Sequence, residues 1–326
     1  MGDGCNPYRQ FGKEPSWSLT LVIQVVLCLG LYAAFNIGKP QEAIPGRRES
    51  MDLYFLSVRG GSRPQELQTQ LLHQMGKIAK TYKAKFVLVV GELGEEDPLW
   101  HNATLYFPFL KIPWYTTKAS NGQIVGFLKK IKIPHQQVME IIGLNTRPLL
   151  EIYFHILVII DVHNNISLVT SEDFLHMEQK SKFLREQISW LQHTLALSNS
   201  NWRVVVGFDP LMICDEDKVN RTERIKFYEP LRHIFLKYEV NAYLSTQGCA
   251  GYFYHDGATM YIGNPGPADE THVALSASKS LNFTSELQNG FLLHRVSPLE
   301  IESYLIDSEG RVALKSIVHN HGRGAI

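Results

Sequence analysis

The chain has 326 residues, enough for one large domain or two ordinary ones. Its 32 basic and 32 acidic residues cancel, and no Lys/Arg cluster of the kind that neutralises a phosphate backbone stands out, which argues against a nucleic-acid partner. A composition with 44% hydrophobic and 11% aromatic residues excludes an intrinsically disordered chain.

Residues 1–16 form a polar N-terminal tail. From Glu14 to Lys39 there is no charge between, and Ser18 to Ile37 reads SLTLVIQVVLCLGLYAAFNI. About twenty such residues, wound as a helix, cross the ~30 Å hydrocarbon core of a bilayer. A buried helix of a soluble domain would carry a polar stripe, and Thr20 with Gln24 makes only a weak one. Residues 17–38 are therefore expected to be a single transmembrane signal-anchor; the long apolar run and the preceding tail favour an uncleaved one, while small residues at Ala33 and Ala34 leave cleavage open. Flanking charge does not decide orientation: Arg9 and Lys13 precede the segment, and Lys39, Arg47 and Arg48 follow it. Residues 39–50, with Pro40, Pro45 and Gly46, read as a linker, and 320–326 as a C-terminal tail.

Residues 51–319 alternate short apolar runs with amphipathic stretches, the pattern of a layered α/β domain. The candidate strands are Leu53–Val58, Phe86–Val90, Ile152–Ile160, Trp202–Val206 and Val240–Leu244, apolar almost throughout as strands covered on both faces are. Helices are predicted over Pro64–Tyr82, Ser171–Leu197 and Arg224–Tyr238, each with a core-facing apolar stripe. Gly290–Val318 alternates apolar and polar residues about a Ser308-Glu309-Gly310 turn and reads as closing hairpins.

Of the four cysteines, Cys5 lies in the tail and Cys28 in the apolar run. Cys214 and Cys249 belong to the body, either as two buried thiols, the plainer reading, or as a disulfide. Glycosylation sequons stand at Asn102, Asn165, Asn220 and Asn282.

In an open α/β sheet, ligands bind in the loops beyond the carboxyl ends of the strands. Those loops are Arg59-Gly60-Gly61, Gly91-Glu92-Leu93-Gly94-Glu95, Thr117-Lys118-Ala119-Ser120-Asn121, Gly207-Phe208-Asp209-Pro210 and Ser245-Thr246-Gln247-Gly248-Cys249. Together with Gln74–Ala79, Phe86–Gly91, Pro113-Trp114-Tyr115, Trp190-Leu191-Gln192 and Asn201–Gly207, they make residues 51–318 resemble the low-mass, single-domain purple acid phosphatases of the calcineurin-like metallophosphoesterase superfamily. The resemblance implies a four-layer αββα sandwich of two mixed sheets flanked by helices. It also implies a dinuclear centre, iron with iron, zinc or manganese, bound by blocks written Gly-Asp-Trp-Gly, Gly-Asp-Asn-Phe-Tyr, Gly-Asn-His-Asp, Gly-His-x-Pro and Gly-His-x-His.

At those positions this chain carries other residues. Arg59 replaces the first carboxylate ligand, Glu92 the bridging aspartate and Glu95 the tyrosinate. Ser120 and Asn121 replace the asparagine ligand and the pocket histidine, Phe208 a ligand histidine, and Gln247 and Cys249 two more. Only Glu92, Glu95 and Cys249 remain as candidate donors, where two-metal hydrolysis needs about six or seven. The implied reading is a catalytically inactive, membrane-anchored pseudophosphatase with no bound metal or cofactor, a binding or interaction role, and its body in the secretory lumen or outside the cell. Its partner would be an unidentified protein or an anionic ligand. Two other readings stay open: a hydrolase with a rearranged site on Glu92, Asp209 and His163, and a non-hydrolytic anion-binding module using Arg59. Within the first reading, Arg59 is expected to pair with Glu92 or Glu95, and Asp209 is a turn residue before Pro210 with an exposed carboxylate.

Overall fold

The computed structural model describes residues 17–37, 52–117, 126–147, 171–216, 223–248, 251–266, 287 and 289–320. Its elements in chain order are α1 (Trp17–Ile37), β1 (Leu53–Arg59), α2 (Gln65–Tyr82), β2 (Val87–Val90), α3 (Pro98–Tyr106), β3 (Trp114–Thr116), β4 (Phe127–Lys132), β5 (Val138–Gly143), α4 (Ser171–Leu197), β6 (Trp202–Val206), β7 (Met212–Glu216), β8 (Glu223–Phe227), α5 (Glu229–Lys237), β9 (Ala242–Thr246), β10 (Phe253–Asp256), β11 (Thr259–Asn264), β12 (Phe291–Val296), β13 (Glu300–Ile306) and β14 (Val312–His319). The chain divides into two units, one holding α1 and the other running from Arg47 to the C-terminus.

In the first unit, α1 is 21 residues long without a charged side chain. Among the described residues no helix is long and apolar enough to cross a membrane. In α1 the side chains so described are Trp17 and Thr20–Gly30, which form only part of the helix. They are exposed, including Val22, Val25, Val26 and Leu29.

The second unit is built on two six-stranded mixed sheets, ordered β14-β13-β12-β1-β2-β3 and β10-β11-β9-β6-β5-β4, with β7 and β8 as a separate hairpin. In the first sheet β1, β2 and β3 run parallel, and β12 joins β1 antiparallel. In the second, β5, β6, β9 and β11 run parallel. Parallel neighbours need crossover helices, which is why apolar strands alternate with amphipathic helices along the sequence. The sheets share one core, with Phe55, Leu88, Leu292 and Leu305 from the first and Ile141, Trp202, Val204, Leu244 and Ile262 from the second. Helix α2 covers the first sheet and buries Leu71, Leu72, Met75, Ile78 and Ala79; it stops where Lys83 turns left-handed, φ 53°. Leu191 and Leu195 of α4 and Leu231, Ile234 and Phe235 of α5 pack with Val205, Tyr243 and Tyr261 of the second sheet.

Three expectations are corrected. The helix over Arg224–Tyr238 is two elements: Glu223–Phe227 pairs antiparallel with β7, and α5 starts only at Glu229, with Pro230 in its first turn. A proline there fits a helix start and cannot fit a helix interior. The strand expected over Val240–Leu244 lies two residues later, at Ala242–Thr246. One of the two parallel partners of β6 is β5, a segment not assigned to a strand from sequence. The candidate strand Ile152–Ile160 lies outside the described residues. The closing hairpins follow the sequence pattern, with Gly310 at φ 84° supplying the left-handed turn between β13 and β14.

Candidate functional site

The carboxyl ends of β2, β3, β5 and β6 meet at a cleft of about 270 Å³ lined by Gly91, Glu92, Thr117, Leu144, Asn145, Arg147 and Phe208. Both sheets contribute to it, and three of the five loops singled out from sequence supply lining residues: Gly91 and Glu92, Thr117, and Phe208.

Arg147, one residue beyond Thr146 in the segment after β5, organises the cleft. Its Nε pairs with the Glu92 carboxylate, and Nη2 lies 4.0 Å from Asp209 Oδ1. The guanidinium sits 5.1 Å from the centre of the Phe208 ring, within cation–π range. Asp209 is held on the other side. The Thr146 hydroxyl donates to Asp209 Oδ2 (3.1 Å) and accepts from the Asp209 amide (2.8 Å). The buried Tyr243 hydroxyl donates to the Asp209 carbonyl (2.6 Å). Burial, followed by the Asp209 charge, pushes the Tyr243 hydroxyl well above its ordinary range, so it stays a donor. The Asp209 side chain is consequently more enclosed than a turn residue's exposed carboxylate, and Glu92 pairs with Arg147 rather than with Arg59.

At the end of β1, Arg59 is buried, and its guanidinium packs against Gly266 so closely that a Cβ there would collide with it. Arg63 curls the following loop, donating from Nη2 to the Arg59 carbonyl (2.6 Å) and from Nη1 to the Gly61 carbonyl (3.3 Å). The loop is pinned by Asp97, fully buried, whose Oδ2 accepts from the Gly61 amide (2.8 Å) and whose Oδ1 accepts from the Leu99 amide (2.9 Å) at the start of α3. A Cβ on Gly60 would strike the Asp97 carboxylate and Val89, so the close approach of β1 to this residue requires glycine. Thr117, from the loop after β3, donates its hydroxyl to the Gly91 carbonyl and ties that loop to the end of β2.

Glu95 is exposed in the 3-10 turn Gly94–Glu96, and Gln247 follows β9 with its amide donating to the Asn264 carbonyl (3.0 Å); neither lines the cleft. Ser120, Asn121, His163 and Cys249 lie outside the described residues, as do Asn165, Asn220 and Asn282, so the Cys214–Cys249 pairing is untouched. Asn102 falls within α3, and Cys28 in α1 is a free, exposed thiol. Sequence reasoning missed Arg147 and Thr146, because β5 before them went unassigned. It did not single out Asp97, although an aspartate directly before proline is a helix N-cap signal.

The described donors do not fit the two cations that the resemblance implies. Among the described residues no three His, Cys, Asp or Glu side chains are grouped to hold a metal. The two carboxylates nearest the cleft, Glu92 and Asp209, share a guanidinium.

No known family profile and no curated protein matches the sequence. Solved structures do. GAP50, the anchor in the inner membrane complex of Plasmodium, is 16% identical and superposes with a TM-score of 0.56 over 84% of this chain and 90% of its own. The two share a fold. A predicted phosphoesterase from Streptococcus pneumoniae (10% identical, TM-score 0.34, 82% of this chain and 98% of that one) and a Vps29 variant from Entamoeba histolytica (12%, 0.35, 82% and 99%) overlap too loosely to carry argument.

Proposed function

We propose that this chain is a membrane-anchored protein of purple acid phosphatase-like fold that does not hydrolyse phosphate esters and works by binding a partner. The observation that carries this reading is Arg147 held by Glu92 and Asp209 over the Phe208 ring, at the strand ends where the resemblance would put metal ions. A guanidinium about 4 Å from a divalent ion is repelled by roughly 2 kcal/mol in water and by more in a drier cleft. Arg147 is also already compensated by two carboxylates, which disfavours an anion in the same place. Arg59, the other candidate for anion capture, is buried against Gly266.

Anchoring is read from the sequence, where the uncharged run over residues 17–38 would, wound as a helix, match the ~30 Å hydrocarbon core. The likeness to GAP50, itself described as a membrane anchor, supports an interaction role. The body is assigned to the secretory lumen or the exterior on its sequons.

Full-length protein from a secretory host tests this. Metal content by mass spectrometry is expected to be far below one ion per chain. Hydrolysis of an aryl phosphate between pH 4 and 8 is expected at the level of a Glu92→Ala variant. Stoichiometric iron, zinc or manganese with turnover above that variant would overturn the proposal. Endoglycosidase treatment tests the topology, since absence of any shift argues against a lumenal body.

A further inference from the structure

A second cavity, of about 620 Å³, opens at the amino ends of β5, β6 and β9, the opposite end of the second sheet from the cleft. That volume lies within the range of about 300–1,000 Å³ in which proteins hold small ligands. Five side-chain amides line it: Gln137 just before β5, Asn199 and Asn201 before β6, Asn241 before β9, and Asn320 after β14. The turn between β12 and β13 adds Pro298 and Leu299, so both sheets take part.

The hydrogen bonds within the fold use only part of what these amides offer. Asn201 Oδ1 accepts from the Val138 amide (3.1 Å), and Asn241 Oδ1 accepts from the Arg203 amide (2.8 Å). Each keeps an Nδ2 group committed to no described residue. Asn320 is oriented the other way, donating from Nδ2 to the Pro298 carbonyl (3.3 Å) and keeping Oδ1. Gln137 Oε1 is buried with no donor among the described residues. Such an acceptor costs stability until a donor enters the cavity to meet it. Charge is balanced, because the lining holds one cation, Arg203, and one anion, Glu239. The Arg203 guanidinium is turned into the fold, donating to the Ser198 hydroxyl (3.2 Å), the Ser198 carbonyl (3.2 Å) and the Tyr238 carbonyl (2.9 Å). It is spent on its own chain rather than offered to an anion.

We infer that this cavity binds a neutral saccharide. A sugar hydroxyl both donates and accepts, and a side-chain amide sets a donor beside an acceptor, so the two complement each other without charge. Leu299, 76% exposed, supplies apolar surface for the C–H face of a sugar ring. A peptide partner would need apolar pockets for its anchoring side chains, and the lining has only Ala258, Pro298 and Leu299 to make them. The inference goes beyond the cleft and holds whether or not that cleft is inert. The lumenal or exterior placement proposed for the body would set the cavity among glycans, and both a free saccharide and a protein-linked glycan present the same chemistry.

The test uses the full chain in a detergent without a sugar headgroup. Saturation-transfer NMR with glucose, galactose, mannose, xylose and N-acetylglucosamine, each up to about 50 mM, is expected to give a saturable signal for at least one of them. A glycoprotein carrying a single high-mannose chain, before and after enzymatic removal of that chain, separates the two sources. Glycan-dependent capture assigns the attached glycan, and a free-sugar signal without it assigns the free saccharide. Gln137→Met should lower the response at least fivefold without lowering the melting temperature, because it removes a buried acceptor that lacks a donor. Should that variant fail to fold, the exposed Asn199→Ala decides by the same loss of response. No saturable signal from any sugar, together with equal capture of the carrier with and without its glycan, would overturn the inference. So would binding that survives unchanged in both variants.

Discussion

His294, on β12, is wholly buried between hydroxyl groups, and its protonation state can be deduced from them. The Ser57 hydroxyl donates to Asn264 Oδ1 (2.7 Å), so it accepts from His294 Nε2–H (2.8 Å), while Nδ1 accepts from Ser303 (2.8 Å). A second proton would put a cation in this buried site with only neutral hydroxyls for partners. Burial accordingly pushes the imidazole down to about 3, against about 6.5 in the unfolded chain. Between these values the unfolded state binds the additional proton, so stability is complete above pH 6.5 and falls as pH drops towards 3, by up to about 1.4 kcal/mol per pH unit. Denaturant midpoints measured from pH 7 to 4 should show this slope. His294→Asn should be less stable at pH 7 but have a flatter profile, and an unchanged slope in that variant would assign the acid sensitivity to other groups. Nothing in the pattern Phe291-Leu292-Leu293-His294 distinguishes this histidine from a surface one, because Ser57 on β1 is 237 residues away in sequence and Ser303 meets it only once β12 and β13 pair.

At the level of elements, what the sequence reveals depends on how many faces an element buries. Strands β1, β2 and β6 are apolar on both faces and stand out. So does α4, whose ends match the expectation. Strand β5 is equally central yet hides Glu140 in its middle, where a Lys130 ammonium at 2.8 Å compensates the buried carboxylate from edge strand β4. Its neighbour β4 reads Phe-Leu-Lys-Lys-Ile-Lys, the charged composition that keeps an edge from pairing with another chain but obscures a strand. The loops that carry Glu92 and Phe208 follow legible strands, β2 and β6. Arg147 follows the illegible one. The joint between β1 and α3 is testable in the same terms. Asp97→Ala removes the cap of α3 and leaves the Gly61 amide without its acceptor, costing together about 2–4 kcal/mol. Asp97→Asn keeps one acceptor oxygen and should lose roughly half as much. Equal midpoints for wild type and Asp97→Ala would mean that this carboxylate does not tie the two elements together.

For the whole molecule, the two sheets converge on a cleft whose described lining carries an arginine and one carboxylate and no imidazole. A two-metal site would hold carboxylates and imidazoles in mutual repulsion until cations arrive, and the fold would then owe stability to them. Here Arg147 supplies the positive charge from within the chain, so the folded state should be indifferent to added metal. The size of the alternative makes this a sharp test. A cation bound to the native state at a hundred times its Kd stabilises by about 2.7 kcal/mol. In a domain of this size that raises Tm by roughly 5–10 °C. Thermal melts of the full chain with zinc, manganese or ferrous iron should therefore shift by less than about 1 °C, in wild type and in Glu92→Ala alike. A rise of several degrees in wild type that disappears in Glu92→Ala would place a cation at the cleft, because in that variant only the carboxylate that would bind it has gone while Arg147 remains.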